Sequence, residues 1–252
     1  MIFVDETLPT VASNLAFEET LLSLADQSEA SPENEASPET LRLWDARETF
    51  VVLGRGSKYS EEANVTACDQ AGVEIFRRIS GGATILAAKG CMFYAVCLSL
   101  KKRPSLRGVD QAHEFVMSRV LNATSQLNGS VSIDGICDLV IGNRKTSGNA
   151  LRISRDYLLY HGTLLLNMNL DLVSQFLNHP PREPGYRQKR SHADFLTNLA
   201  IDRNELAAAL KESWQATAPS TPKELDYVNK ARIESRTLAQ EKYRTSAWIQ
   251  SR

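Results

Sequence analysis

The sequence predicts an α+β fold in which a mixed, largely antiparallel sheet packs against helices. Short apolar or alternating segments follow one another through turns that are too brief for crossover helices, a pattern typical of antiparallel strands. Segments with helical periodicity occur between them without a regular β-α-β rhythm, which disfavours a doubly wound parallel sheet. The 252 residues are enough to bury a substantial core.

The N-terminal segments predict a strand over residues 2–5 and a helix over residues 14–25 capped by Ser13. Residues 26–40 are rich in Ser, Glu and Pro and offer almost nothing to bury, so we expect a mobile surface loop. Alternation over residues 41–45 and an apolar run over residues 49–53 predict two strands paired with each other.

The middle of the chain predicts a helix, three strands and a long amphipathic helix. A helix is expected near residues 63–71 and strands over residues 74–78, 84–86 and 92–100. The last of these strands is nearly all apolar, which indicates a central position in a sheet. Apolar residues recur at helical spacing from 109 to 127, and Gly129 is expected to provide a left-handed C-cap.

The segment from Asp138 to Ala150 predicts a hairpin that turns at Gly142-Asn143. Small residues after Lys145 leave room for a ligand against the backbone. An extended run over residues 157–167, interrupted at Gly162, follows. We therefore expect Asp138, Lys145 and His161 on one small sheet.

The C-terminal third predicts helices over residues 170–177, 202–217 and 224–241. Pro180-Pro181 stops the first helix and is followed by a basic loop over residues 182–190. Asp202 and Glu205 have the spacing of a capping box.

Composition argues against several classes of protein. A formal net charge of −1 and a pI near 6.5 do not favour nucleic-acid binding. There is no apolar run of membrane-spanning length and no signal-peptide pattern, so we expect a cytoplasmic protein without a membrane partner. The four cysteines form no CxxC pair and do not combine with the four histidines at zinc-ligand spacing, so no metal site is expected.

Two glycine-containing elements carry positive charge, one from Arg77 to Gly82 and one from Arg144 to Gly148. Glycines let backbone N–H groups converge on an anion, and Arg or Lys adds charge for phosphate or carboxylate oxygens. Neither element is a Walker loop. Each by itself is also typical of a solvated turn, whereas together they indicate a nucleotide or acyl-phosphate site.

Single residues leave alternatives open. Lys145 by itself has the pattern of an exposed strand lysine. His161 is equally compatible with a core histidine whose hydrogen bonds go to the backbone. Cys137 is either a thiol nucleophile activated by a base or a small buried apolar residue.

The order and spacing of five motifs over roughly residues 1–200 resemble the lipoate-protein ligase A family. The wider group comprises lipoate ligases, octanoyl and lipoyl transferases and biotin ligases, which share an α+β catalytic domain. The motifs are Asn14-Leu-Ala-Phe-Glu18-Glu19, Leu41-Arg-Leu-Trp44 with Gly54-Arg55, Arg77-Arg78-Ile-Ser-Gly-Gly82, Asp138-Leu with Arg144-Lys145-Thr-Ser-Gly148, and His161-Gly-Thr-Leu-Leu-Leu-Asn167.

The resemblance implies that lipoate or octanoate is activated with Mg²⁺-ATP as an acyl-adenylate and is then transferred to a lysine of a lipoyl-carrier domain. The implied carriers are 2-oxoacid dehydrogenases and the glycine cleavage H protein. Lys145 is the implied catalytic residue, and its ammonium group would contact the oxygens of the mixed anhydride. The residues implied to bind the acyl-adenylate or position the acceptor are Arg77, Ser80, Gly81, Gly82, Asp138, Ser147, Gly148, Ala150, His161, Gly162 and Thr163.

The sequence departs from the family at several positions. Ala83 stands where a third glycine is usual, and its methyl group would obstruct a close approach to phosphate. Ala87 replaces a histidine, Cys137 an asparagine and Tyr160 the first histidine of His-His-Gly-Thr, while Ser191-His192-Ala193 matches the basic Ser-Val-Arg stretch.

The resemblance to this family also bears on the domain organisation. Residues 1–220 are expected to form the catalytic domain, and residues 221–252 a short C-terminal extension rather than a full accessory domain. Either a separate subunit would then supply the accessory function, or the protein would transfer an acyl group that is already activated.

We therefore predict a lipoate-protein ligase-like enzyme. One alternative is an ATP-independent octanoyl or lipoyl transferase, although Cys137 does not lie where such relatives have their nucleophile. Another is a non-catalytic protein that binds a lipoyl or biotinyl ligand, which the changes at Ala83 and Ala87 favour. Biotin ligation is the weakest alternative.

Overall fold

A computed structural model of the chain describes residues 1–29 and 38–252 and confirms an α+β fold. No helix in these two ranges is both long and apolar enough to traverse a membrane. The strands are β1 (Ile2–Asp5), β2 (Thr40–Asp45), β3 (Phe50–Leu53), β4 (Glu74–Arg77), β5 (Ile85–Ala87), β6 (Cys91–Ser99), β7 (Val131–Asp134), β8 (Asp138–Ile141), β9 (Arg144–Lys145), β10 (Ser147–Ile153) and β11 (Tyr157–Leu165). The α-helices are α1 (Val11–Glu29), α2 (Tyr59–Glu62), α3 (Val65–Ala71), α4 (Val109–Ser125), α5 (Asp171–Phe176), α6 (His192–Phe195), α7 (Arg203–Ser213), α8 (Pro222–Leu238) and α9 (Ser246–Ile249).

The strands form three sheets that are together mixed and largely antiparallel, as predicted. The five-stranded sheet has the order β1-β2-β6-β11-β10, with β1 and β2 parallel and the other neighbours antiparallel. Strand β3 pairs with β4 in parallel and with β5 in antiparallel orientation. Strands β7, β8 and β9 form an antiparallel sheet.

Strand β6 is central, because all of its residues are buried and it pairs on both sides. Its alternate side chains enter two separate cores. Phe93 stacks on Trp44 at 3.9 Å between ring centroids, in the core that also contains α1. Tyr94 points into the other core, with α4 and α7.

The N-terminal helix differs from its prediction at both ends. The helix begins at Val11, earlier than predicted, because Thr10 caps it and Ser13 does not. The hydroxyl of Thr10 accepts a hydrogen bond from the backbone N–H of Ser13, in the first turn, at 3.1 Å. It extends to Glu29, which shortens the predicted loop. Glu39, near the other end of that loop, is buried and pairs with Arg103. The rest of the predicted loop, residues 30–37, lies outside the described residues.

The predicted pairing of β2 with β3 is wrong, because the two strands belong to different sheets. Both strands are buried along almost their whole length. A buried strand needs neighbours on both edges to satisfy its backbone groups, and β2 finds them in β1 and β6, whereas β3 finds them in β4 and β5.

The predicted hairpin forms, but its second half divides at Thr146. Gly142, with φ of +60°, turns β8 into β9. Thr146 then donates from its backbone N to the carbonyl of Leu139 at 2.8 Å, and the next residues pair with β11. Asp138 and Lys145 therefore lie on the small sheet, whereas His161 lies on the five-stranded sheet, which corrects the expectation of one shared sheet. Strand β11 passes through Gly162 without interruption.

The C-terminal residues pack on α1. The hydroxyl of Tyr227 in α8 donates to the carbonyl of Leu21 at 2.7 Å, and Lys242 and Tyr243 both contact the carboxylate of Glu19. The division of the chain at residue 220 remains a prediction. Two helix ends also differ from expectation: α4 ends at Ser125 without a left-handed glycine cap, and α7 ends at Ser213.

Burial of α1 predicts a difference between two leucine truncations. Leu21 in α1 is 1% exposed, whereas Leu225 in α8 is 46% exposed. We expect Leu21→Ala to lower the free energy of unfolding by about 2–5 kcal/mol because it leaves a cavity, and Leu225→Ala to change it by less than about 0.5 kcal/mol. Urea unfolding of both variants measures this, and equal losses would contradict the packing described for α1.

Candidate active site

A cavity lies where β10 and β11 meet the segment that follows α5. Most of the residues predicted for the site line it: Lys145, Ser147, Gly148, Ala150, His161, Gly162 and Thr163. The other predicted residues are not part of this lining: Arg77, Ser80, Gly81, Gly82 and Asp138.

Lys145 is held at the edge of the cavity by Asp138. Its Nζ lies 2.8 Å from Oδ1 of Asp138, and the hydroxyl of Tyr186 donates to Oδ2 of the same carboxylate at 2.8 Å. Burial and the charge of Asp138 raise the pKa of Tyr186, so the phenol remains a neutral donor. An ammonium group has three donors. One donor on Asp138 therefore leaves Lys145 two for ligand oxygens.

The small residues of β10 and β11 fit closely packed neighbours. The hydroxyl of Ser147 accepts from the N–H of Leu139 at 2.8 Å, which ties β8 to β10. A Cβ on Gly162 would lie 2.2 Å from Oδ1 of Asn149 and 2.7 Å from Cε1 of Tyr94. Gly162 is thus required by packing on the face of β11 opposite His161.

His161 belongs to a buried hydrogen-bonded chain. Its Nδ1 lies 2.5 Å from Oε2 of Glu18, and its Nε2 lies 2.5 Å from Oγ of Ser80. A carboxylate only accepts, so the hydrogen of this bond lies on Nδ1, while Nε2 contacts the hydroxyl of Ser80. The chain fixes the Ser80 turn against β11.

Glu18 is the buried charge at the base of this chain. Its Oε1 accepts from Nε1 of Trp44 at 2.8 Å and lies 3.6 Å from the guanidinium of Arg42. Burial acts to raise the pKa of Glu18, but the charge and hydrogen bond of His161, together with Arg42 and Trp44, lower it below the usual 4.5. Glu18 is therefore a carboxylate at neutral pH.

The two adjacent arginines have different surroundings. Nη1 of Arg77 donates to the carbonyls of Gly54 at 2.7 Å and Ser57 at 2.8 Å, so this guanidinium organises a loop. Arg78 lines the cavity and donates to the carbonyl of Ala83 at 2.9 Å. Burial lowers the pKa of Arg78 to about 10, which leaves it charged at neutral pH.

The glycine turn depends on a close backbone approach. Gly82 has φ of +85°, and a Cβ on Gly54 would lie 2.0 Å from the carbonyl oxygen of Gly82. Ala83, which replaces the usual third glycine, lines the cavity. The residue whose methyl group is expected to obstruct phosphate therefore lies at the cavity.

Three of the other departures from the family pattern lie outside the cavity lining, whereas His192 is part of it. Tyr160 points to the opposite face of β11, where its hydroxyl lies 2.9 Å from Nδ1 of His113. Ala87 is buried in β5 opposite Phe50. Burial and the charge of Asp138 raise the pKa of Cys137 to about 11, although Lys145 opposes this. The thiol is therefore protonated at neutral pH, which disfavours a thiolate nucleophile.

Several lining residues were not predicted from the sequence. Glu18 and Arg78 lie in the motifs quoted above. Because side chains alternate between the two faces of a strand, continuing the pattern of β4 would have placed Arg78 on the opposite face from Arg77. Glu62 accepts from the hydroxyls of Ser57 at 2.8 Å and Thr84 at 2.7 Å. No sequence signal marked Glu62. The cavity also receives the cations Arg182 and Arg187 from the basic loop, and the imidazole of His192, whose pKa is lowered by burial and by the charge of Arg187.

A family model described as the lipoyl protein ligase A/B catalytic domain matches residues 10–214. The chain belongs to this family. The resemblance inferred from five motifs is confirmed, and the buried Glu18, His161 and Ser80 all come from those motifs.

Solved structures of family members share the fold across the whole chain. A T. acidophilum protein with bound lipoic acid is 17% identical, with a TM-score of 0.73, and the match covers 100% of this chain and 98% of that one. A lipoate-protein ligase A bound with ATP is 18% identical, with a TM-score of 0.74 and 99% of both chains covered. A bi-partite lipoate protein ligase studied with its E2 lipoyl domain, also from T. acidophilum, is 20% identical, with a TM-score of 0.71 and coverage of 99% and 95%.

The close approach of Gly54 to Gly82 predicts a position-specific effect of alanine. Gly54→Ala must displace a backbone carbonyl, and we expect it to lower the free energy of unfolding by about 1–3 kcal/mol. Gly56 is in the same loop, and a Cβ there would meet nothing within 4 Å. Gly56→Ala is therefore the control, and chemical denaturation compares the two. Equal effects would show that the loop does not press on the glycine turn.

The lowered pKa of Glu18 predicts how stability depends on pH. The ionised carboxylate stabilises the folded chain above pH 4.5, and this contribution is lost as the pH falls through the folded pKa, which lies below 4.5. We expect Glu18→Gln to be less stable than wild type by about 3 kcal/mol at pH 7, because it leaves buried Arg42 without its carboxylate. The difference should shrink at acidic pH. Denaturant unfolding at several pH values tests this, with exposed Glu114→Gln as control, and a constant difference would refute it.

Proposed function

We propose that this protein is an ATP-dependent lipoate ligase. It would activate lipoate or octanoate as an acyl-adenylate with Mg²⁺-ATP and transfer the acyl group to a lysine of a lipoyl-carrier domain. The observation that carries the proposal is the placement of Lys145, with two donors left for a ligand, in a cavity that also has apolar lining residues. Family members solved with lipoic acid, with ATP and with an E2 lipoyl domain support it.

The cavity has surfaces for both parts of an acyl-adenylate. Apolar side chains can hold the aliphatic chain and the dithiolane ring, whereas Lys145, Arg78 and Arg187 provide positive charge for the anhydride and phosphate oxygens. The apolar lining comes from Leu15, Val52, Phe93, Leu165 and Met168.

An adenylyl transfer and then an acyl transfer would take place beside Lys145. In the first, the lipoate carboxylate attacks the α-phosphorus of ATP, an oxygen–phosphorus bond forms and pyrophosphate leaves. In the second, the carrier amine attacks the acyl carbonyl and AMP leaves as the amide forms. Negative charge develops on phosphoryl oxygen in one step and on carbonyl oxygen in the other, and the ammonium of Lys145 would offset both.

In this proposal the remaining predicted residues position other groups and do not react themselves. Asp138 would orient Lys145 and the incoming amine. The turn from Ser80 to Gly82 would hold the adenylate, with His161 keeping that turn in place. Arg77 would act indirectly, since its donors go to backbone carbonyls. Gly148, Ala150 and Thr163 would leave space for the ligand along the strands.

Partners and compartment follow from the same proposal. The carriers would be lipoyl domains of 2-oxoacid dehydrogenases or the glycine cleavage H protein. A separate accessory subunit would assist activation, by analogy with the relative described as bi-partite. We place the protein in the cytoplasm, because Cys68, Cys91, Cys97 and Cys137 are all free thiols.

One observation favours a second candidate function. Ala83 lines the cavity where a glycine is usual, and its methyl group would obstruct a close approach of phosphate to the backbone. A protein restricted in this way would transfer an acyl group from an adenylate made elsewhere.

Substitution of Lys145 tests the proposal. With lipoate, Mg²⁺-ATP and an E2 lipoyl domain, we expect the mass of the carrier to increase by one lipoyl group, and Lys145→Ala to slow this by about 10²–10³-fold. Lys89→Ala, an exposed lysine outside the cavity lining, should leave the rate unchanged.

Different donors separate the candidates. Transfer only from chemically prepared lipoyl-adenylate would support the second candidate. Transfer from octanoyl-acyl carrier protein without ATP would indicate a transferase. Failure with every donor would refute a catalytic function.

A further inference from the structure

A second, shallower cleft runs along the edge of β10. Its rim carries Arg55, Lys58, Arg152 and Arg252, and its floor is apolar. We call it the basic cleft. The floor residues are Ile79, Leu151 and Ile153.

Most cations of the basic cleft form no ion pair with another described residue, although Glu19 and Asp26 line a neighbouring cavity that Arg55 and Arg152 also line. Among the residues that the structure describes, no acidic side chain lines the cleft, and Arg55, Arg152 and Arg252 are exposed without an ion pair. Lys58 pairs with Glu61 on the surface. A chain with a formal net charge of −1 thus gathers cations from three separate segments at one place. This positive charge is available to a partner.

The basic cleft adjoins the catalytic cavity. β10 is an edge strand of the five-stranded sheet. Its first residues, up to Ala150, line the cavity, and its last residues, from Leu151, line the cleft. Gly81 lines the cleft, and a Cβ on neighbouring Gly82 would lie 3.8 Å from that of Ala150. The glycine turn therefore separates the two sites, and a large partner on the cleft would reach the cavity mouth.

The form of the cleft fits a protein surface better than a small anion. Phosphate groups are usually held by convergent, buried donors. Here the charges stand on an exposed rim around an apolar floor, which is the arrangement of protein interfaces with a charged rim and an apolar centre.

We propose that the basic cleft docks an acidic surface of the carrier domain, beside the acceptor lysine. This rests on the proposed function, in which the acyl acceptor is a protein lysine. Docking there brings the lysine over the glycine turn to the acyl group held near Lys145. Positive rim charges accelerate encounter with an acidic partner and make its binding sensitive to salt.

Charge reversal tests this docking surface. We expect Arg55→Glu/Arg152→Glu to raise the Kd for an E2 lipoyl domain about tenfold at low ionic strength, and the difference to shrink as salt is added. The KM for the carrier should rise with kcat unchanged, and formation of lipoyl-adenylate from lipoate and ATP without carrier should be unaffected. The matched control is Arg47→Glu/Arg236→Glu, which makes the same charge change at exposed arginines outside the cleft lining. Arg47 precedes β3 and Arg55 follows it, so the control changes an arginine near the other end of the same strand.

A compensating change in the carrier makes the test specific. The compensating variant is an E2 lipoyl domain in which acidic residues near the acceptor lysine are changed to lysine. It should bind the wild-type protein weakly and regain affinity for the charge-reversed variant. Unchanged carrier binding by the variant would overturn the proposal. A raised KM for ATP with an unchanged KM for the carrier would also overturn it, because the cleft would then be a nucleotide site. Binding by calorimetry is independent of turnover, so salt-sensitive binding that the variant loses would support docking even if wild type modified no carrier.

Discussion

The buried carboxylate of Glu18 is the interaction on which the site depends. A charge at 2% exposure is tolerated only with partners, and its partners come from β2 and from β11, which also lines the cavity. Through His161 the same carboxylate reaches Ser80 and so determines where the glycine turn lies. One helix, two strands and a turn are thereby fixed by a single ionised group.

Buried arginines shape the surrounding loops in the same way. Arg77 and Arg78 direct most of their donors at backbone carbonyls rather than carboxylates. Such contacts satisfy carbonyls that irregular turns would otherwise leave buried and unpaired. The C-terminus contributes too, since the indole of Trp248 donates to the carbonyl of Arg77 at 2.8 Å. The geometry of the cavity is a consequence of how buried polar groups are satisfied.

The arrangement also divides the proposed activity between two surfaces. The cavity combines apolar walls with Lys145 and Arg78, which suits an acyl group joined to a phosphate. The basic cleft, across the glycine turn, presents exposed charge that suits a macromolecule. Both meet at β10, so the strand that carries small residues toward the ligand also leads outward to the proposed docking surface.

The sequence by itself determined the fold class, the central strand, the glycine turn and the family. Strand periodicity and turn residues are local properties, and motif order survives without knowledge of contacts. Only the tertiary structure decided that β2 and β3 lie in different sheets, that Arg78 rather than Arg77 lines the cavity, and that Glu18 holds His161. The reason is physical: Glu18 and His161 are 143 residues apart, and local patterns do not specify which distant group will pair with a buried charge.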